Sequence, residues 1–106
     1  MIFIGRLYKI TIMKSAKEEI EEIKKYISDR LQEPAIARKT IQKITKEISD
    51  LRYMPRKYKL LKKNKNIEIH RMSVKNYVII YQVDIKIKTV YILHIFNSKR
   101  NYLKLI

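Results

Sequence analysis

Four side chains in the C-terminal half could do chemistry on an anion. Arg71 and His94 lie in strand-like apolar runs, "IEIHRMSV" and "TVYILHIF", and Lys99 and Arg100 close the segment behind the second run. Guanidinium and ammonium groups hold phosphate oxygens, and an imidazole with an ordinary pKa near ~6.5 can move a proton at neutral pH. That set suits RNA cleavage without a metal. The ribose 2′-hydroxyl can act as nucleophile, so the protein need only hold geometry, transfer protons and stabilise a phosphorane. Each residue also has a plainer role open to it. Arg71 could pair with a nearby carboxylate, and a strand histidine such as His94 or His70 is commonly a hydrogen-bonded core or rim residue.

Other chemistries find little support. A single glycine, Gly5, leaves no phosphate-binding loop and no dinucleotide fingerprint. Two histidines and no cysteine make no zinc set and no disulfide framework, and no serine sits in a nucleophile elbow. No cofactor is expected. The first residues, "MIFIGRLYKITIM", are interrupted by Arg6 and Lys9 and do not read as a signal peptide. No apolar run approaches the ~18 residues of a membrane span. The cytoplasm is the expected compartment.

The net charge of +15 points to an anionic partner: nucleic acid, the ribosome or an acidic protein. Part of the lysine excess can reflect A/T-rich codons, since Ile, Asn and Tyr are abundant too. The densest basic run is "RKYKLLKKNKN", read as a loop from Arg56 to Asn66, where Lys59, Lys62, Lys63 and Lys65 surround an apolar pair. It could be a solvated charge run, grip RNA phosphates, or draw in an acidic protein. Tyr102 could stack on a base or belong to a loose tail.

The elements that would position these groups form one domain over residues 1–106. Leu7–Met13 alternates as a strand. Ser15 and Glu18 have capping-box spacing, and Ile20, Ile23, Ile27 and Leu31 then recur at helical spacing. Pro34 suits the first turn of a second helix, striped by Ala37, Ile41, Ile44, Ile48 and Leu51 and ending near Pro55. Three β-branched and aromatic segments follow, joined by links of hairpin length. The fold class is α+β: β-α-α-β-β-β, with a helical hairpin on one face of a small, mainly antiparallel sheet.

Strand parity divides the residues between faces. Tyr77, Ile79, Tyr81 and Val83 share one side, and Val78, Ile80 and Gln82 share the other. If the tyrosines pack under the helices, the open face shows Val, Ile and Gln, a poor floor for phosphoryl transfer and a better one for protein docking. Arg71 shares a face with Ile69 and Ser73, opposite His70.

This layout, with "RMSVKNYVIIYQVD" and "VYILHIFNSKRNY", resembles the RelE/ParE superfamily of toxins from bacterial type II toxin–antitoxin systems. The resemblance implies a compact cytoplasmic toxin neutralised by a small antitoxin encoded beside it. Toxin and antitoxin together would repress their operon, with the complex on operator DNA through the antitoxin. RelE-like members cut mRNA in the ribosomal A site; ParE-like members inhibit DNA gyrase. Where the ribonuclease pattern carries an arginine after the tyrosine of the middle strand, this chain has Val78, which argues for the gyrase branch. On the ribonuclease reading Arg71, His94 and Arg100 are the catalytic candidates, with Lys59, Lys62, Lys63, Lys65, Lys99 and Tyr102 as target-binding residues.

Overall fold

Strand β1 (Lys9–Ile12) leads directly into helix α1 (Lys14–Lys25) in the computed structural model, which describes residues 7–99. One π-helical turn, Tyr26–Arg30, continues α1 before helix α2 (Pro34–Asp50) returns antiparallel. Strands β2 (Lys59–Asn64), β3 (Ile67–Val74), β4 (Tyr77–Asp84) and β5 (Thr89–Asn97) follow. The sheet runs β1-β5-β4-β3-β2, with β1 parallel to β5 and every other pair antiparallel. Helix α1 lies over β5 and α2 reaches β3, so the helical hairpin covers one side of the sheet, as expected.

Strand β2 was hidden in the run read as a loop. Its alternation is broken because the register with β3 shifts between Leu60 and Lys62, making Leu61 a bulge. Leu61 and the adjacent Lys62 therefore both fall on the outer side of the sheet, and the period-two signal is lost. Two tight connections use a lysine in the left-handed region, Lys65 (φ 54°) and Lys75 (φ 53°), where glycine would carry no steric penalty.

The helices differ from expectation at their ends. Met13, not Ser15, is the N-cap of α1, and no side chain caps it. The Ser15 hydroxyl donates instead to the Leu93 carbonyl at 2.8 Å, and Glu18 lies 3.8 Å from Lys14. A tertiary contact has taken the group that a capping box would use. The π turn, closed by the Leu31 amide on the Tyr26 carbonyl, widens the helix by a residue. Ile27 stays in the core, whereas Leu31, expected on the same stripe, is 52% exposed. Pro34 begins α2 as anticipated, but the helix stops at Asp50, and three turn-type hydrogen bonds carry the chain from Leu51 to Tyr53 before Pro55 is reached.

The core lies between helices and sheet. Ala16, Ile23 and Ile27, with Ile44, Ile48 and Leu51, meet Met72, Ile79, Tyr81, Val83, Val90, Ile92 and Ile95. Each fully buried isoleucine stabilises the fold by about 1.5–3 kcal/mol. The parity of β4 is as read: Tyr77, Ile79, Tyr81 and Val83 belong to the helix side. The other side departs from expectation. Val78, Ile80 and Phe96 are buried in a second cluster with Leu61, Ile69 and Leu93 packed against it, so the centre of that face is filled rather than open.

Candidate functional site

One row of residues crosses the outer face. Lys59 of β2 stands opposite Arg71 of β3, Arg71 opposite Ile80 of β4, and Ile80 opposite His94 of β5. The sequence placed Arg71 and His94 as partners, and the fold does put them on one face and in one row. It does not bring them together. Two strand spacings separate their backbones, about 10 Å, and Ile80, 1% exposed, stands between. Arg71 donates from Nη2 to Ser73 Oγ at 2.9 Å, along its own strand. His94 Nδ1 is 3.3 Å from the Glu19 carboxylate, turned toward α1.

The remaining candidates scatter. Lys62, opposite Ile69, shares the outer face with Lys59. Lys63 points to the helix side and lies 3.7 Å from Glu68, and Lys65 sits in the β2–β3 turn. Lys99 follows β5, its amide donating to Asn97 Oδ1 at 3.0 Å. Arg100 and Tyr102 lie outside the described residues. Val78, opposite Ser73 on β3 and Phe96 on β5, is 1% exposed. An arginine there would place an unpaired charge in an apolar cluster.

His94 owes its position to a bulge. The register with β4 jumps from Tyr81–Ile92 to Ile80–His94, leaving Leu93 as the extra residue. Strand β1 has ended by then, its last partner being Ile92. Side chains of α1 occupy the vacated edge: Ser15 donates to the Leu93 carbonyl, and Glu19 accepts the Ile95 amide at 3.0 Å beside the His94 ring.

A second polar cluster was not legible in the sequence. Glu68 is 3% exposed and accepts a two-pronged bond from Arg56, Nε at 3.1 Å and Nη2 at 3.0 Å. His70, 2% exposed, has Nε2 2.8 Å from Glu68 Oε1 and Nδ1 3.0 Å from the Tyr58 carbonyl. Burial pushes the Glu68 carboxyl up, but hydrogen bonds from Arg56 and His70 outweigh it and hold the group below its ordinary value. The two His70 nitrogens thus face a backbone carbonyl and a carboxylate. The ring stacks on Tyr81, centroids 5.4 Å apart, and the Tyr81 hydroxyl donates to the Pro55 carbonyl at 2.6 Å. Burial pushes that hydroxyl's pKa up strongly. This network fastens the α2–β2 connection to the sheet. Arg56, read as part of a solvated run, is a structural ligand, and His70 is sealed from any substrate. The only signal was the i, i+2 spacing of Glu68 and His70, which puts them on one face of a strand.

The profile of the family described as ParE toxin of type II toxin–antitoxin system, parDE, matches residues 10–102. The chain belongs to the ParE toxin family. It is a type II toxin of the RelE/ParE superfamily. Among curated proteins it has no match. Solved structures share the fold. The archaeal RelE–RelB complex from Pyrococcus horikoshii aligns at 19% identity and a TM-score of 0.68, covering 89% of this chain and 98% of that one. The chromosomal ParDE system of P. aeruginosa aligns at 16% and 0.70, covering 88% and 98%. The RelBE2 complex from Mycobacterium tuberculosis aligns at 18% and 0.58, covering 86% and 98%. Among the described residues no helix of this ParE-family toxin is long and apolar enough to cross a membrane.

Proposed function

We propose that this ParE-family toxin arrests growth in the cytoplasm by binding DNA gyrase, and that a small antitoxin encoded beside it neutralises it and carries the complex to operator DNA. One observation favours binding over catalysis. Ile80 fills the space between Arg71 and His94, and Val78 fills the neighbouring position. A general base must come within hydrogen-bond reach of the proton it removes, and a phosphate bracketed by a cation needs that cation close by. Here the cation and the imidazole are held apart and turned to Ser73 and Glu19. What stays accessible on this face is a cationic margin at Lys59 and Lys62, suited to an acidic protein surface.

The test is a supercoiling assay. Purified toxin added to gyrase and relaxed plasmid is expected to block supercoiling or trap cleavage complexes; unaffected supercoiling refutes the proposal. A second reading, ribosome-dependent cleavage of mRNA, draws on Arg71 and His94 sharing one row and on the charge of +15. Codon-phased breaks mapped by primer extension on translating ribosomes would establish that reading in place of the first.

A further inference from the structure

Strand β1 lies at the opposite side of the sheet from β2. One edge of it bonds to β5, and no described strand lies along the other. Register and hydrogen bonds fix what that open edge presents. The Lys9 amide donates to the Lys88 carbonyl and the Met13 amide to the Ile92 carbonyl, so the odd-numbered residues turn their backbone groups toward β5. Ile10 and Ile12 turn theirs outward. Their side chains lie on the helix side, against the core, while Lys9 and Thr11 lie on the outer side. Beside the edge runs a groove of about 410 Å³, lined by Ile10, Ile12 and Ile48 together with Thr45 and Ser49 of α2. Leu7, 47% exposed, and Met13, 40% exposed, flank the strand.

A second copy of the chain fits this edge in one register. Closed two-fold pairing of a strand with itself is antiparallel. An axis at Ile10 would set Ile12 against Tyr8, whose amide already donates to the Arg52 carbonyl at 3.0 Å. An axis at Ile12 would set Ile10 against Lys14, the first residue of α1. With the axis at Thr11, Ile10 stands opposite Ile12 of the second copy, and Ile12 opposite its Ile10. All four turn backbone groups outward, so the two pairs exchange four hydrogen bonds. Their side chains meet on the helix side and enter the groove from both copies. Thr11 meets Thr11, a favourable cross-strand pair. Lys9 faces Met13, and the two Lys9 residues are four positions apart along the ladder, roughly 13 Å. That exceeds the Debye length of about 8 Å at physiological salt, so the charge of +15 opposes pairing mainly at low salt. Edge β2 is built otherwise: it carries Lys59, Lys62 and Lys63, and lysines on an edge guard against self-pairing.

We infer that two copies of this toxin join through their β1 edges about a two-fold axis at Thr11, so that two five-stranded sheets become one continuous sheet with the helices of both copies on one side. The axis stands perpendicular to the sheet. Both outer faces therefore look the same way, and the cationic β2 margins lie at the two far ends. The contact is short, since β1 has four residues, and it belongs with the weak, concentration-dependent interfaces. It does not depend on the gyrase reading or on the antitoxin reading.

The experiment uses the full chain, which contains no cysteine. Thr11→Cys sets two thiols at the axis, in a pair whose Cα atoms are about 4.5 Å apart and so within disulfide reach. Mild oxidation is expected to give a covalent dimer, while Lys59→Cys, on the other edge of the sheet, stays monomeric. In sedimentation the parent protein is expected to double its mass as concentration rises from micromolar toward millimolar, more readily at high salt. Over the same range hydrogen exchange at the Ile10 and Ile12 amides slows by about tenfold or more. In Thr11→Lys, which sets two ammonium groups against each other, it does not slow. Mixing Thr11→Lys with Thr11→Glu restores the pairing, because the facing charges then attract. A parent protein that stays monomeric across the whole range overturns the inference. So does cross-linking of Lys59→Cys as readily as Thr11→Cys, which puts the contact elsewhere. Ile10 and Ile12 amides already protected in the monomer overturn it too, since another part of the chain then covers the edge. Protection by a peptide of alternating Glu and Val, in a chain that never doubles its mass, assigns the edge to an acidic partner instead.

Discussion

Glu19 of α1 and Ile95 of β5, 76 residues apart, are joined by a hydrogen bond in which the Ile95 amide donates to a carboxylate oxygen at 3.0 Å. Where β1 runs out, the helix that follows it continues as the neighbour of β5. The Met13 amide bonds to the Ile92 carbonyl, Ser15 takes the Leu93 carbonyl, and Glu19 takes the amide beyond the bulge. Removing the acceptor leaves a half-buried amide unpaired. Glu19→Ala is expected to cost about 1–3 kcal/mol in urea unfolding, with an unchanged slope, and Glu19→Gln, which keeps an acceptor oxygen, distinctly less.

Acid stability should follow Glu68. Its carboxyl is held below the ordinary value of 4.5, so on acidification the unfolded chain takes up the proton first. The stabilisation is therefore fully present above pH 4.5 and is lost as pH falls from there through the folded-state pKa. Urea midpoints measured from pH 7 downward are expected to drop in that window, and in Glu68→Gln the drop is shallower. An equally steep acid limb in the variant would show that other carboxyls govern it.

Tyr81→Phe deletes one oxygen from a side chain that is fully buried. The Pro55 carbonyl then loses its donor, and the α2–β2 connection loses a tether. A loss of about 1–3 kcal/mol is expected from denaturant unfolding. In the parent protein one tyrosine should resist ionisation in an ultraviolet pH titration until the fold opens, because burial raises its pKa.

Lys75 holds a left-handed backbone (φ 53°) in the β3–β4 turn, where Cβ crowds the carbonyl oxygen. Lys75→Gly is expected to be neutral or stabilising by up to about 1 kcal/mol, the relief of strain being offset in part by a freer unfolded chain. Thermal unfolding at matched buffer would measure it.

His94→Asn separates the two target readings in one variant. Its ring contacts Glu19 and lies at a rim, so the fold should persist. Gyrase inhibition in the supercoiling assay is expected to be retained. Loss of growth arrest with a preserved circular dichroism spectrum would instead assign His94 to proton transfer.

Much of the architecture could be read from side-chain periodicity. The stripe of α1 as far as Ile27, the stripe of α2, Pro34 at the head of α2, and the two-sided parity of β4 are local patterns, and each reappears in the fold. Three features could not be read that way. Strand β2 was masked by a bulge that disturbs alternation at Leu61. Ser15 was drawn from a cap to the Leu93 carbonyl by a contact 78 residues away. Arg56 looked solvated until the fold set it against the buried Glu68.

The candidate site shows the same division. Residue types and strand parity by themselves put Arg71 and His94 within reach of an anionic or macromolecular partner, because alternation is a property of the chain and needs no partner strand. Whether they meet depends on strand order and register, which arise from hydrogen bonds between segments distant in sequence. Those bonds set Ile80 between them, filled the face with Val78 and Phe96, and, among the described residues, left the outer edge of β2 without a neighbouring strand.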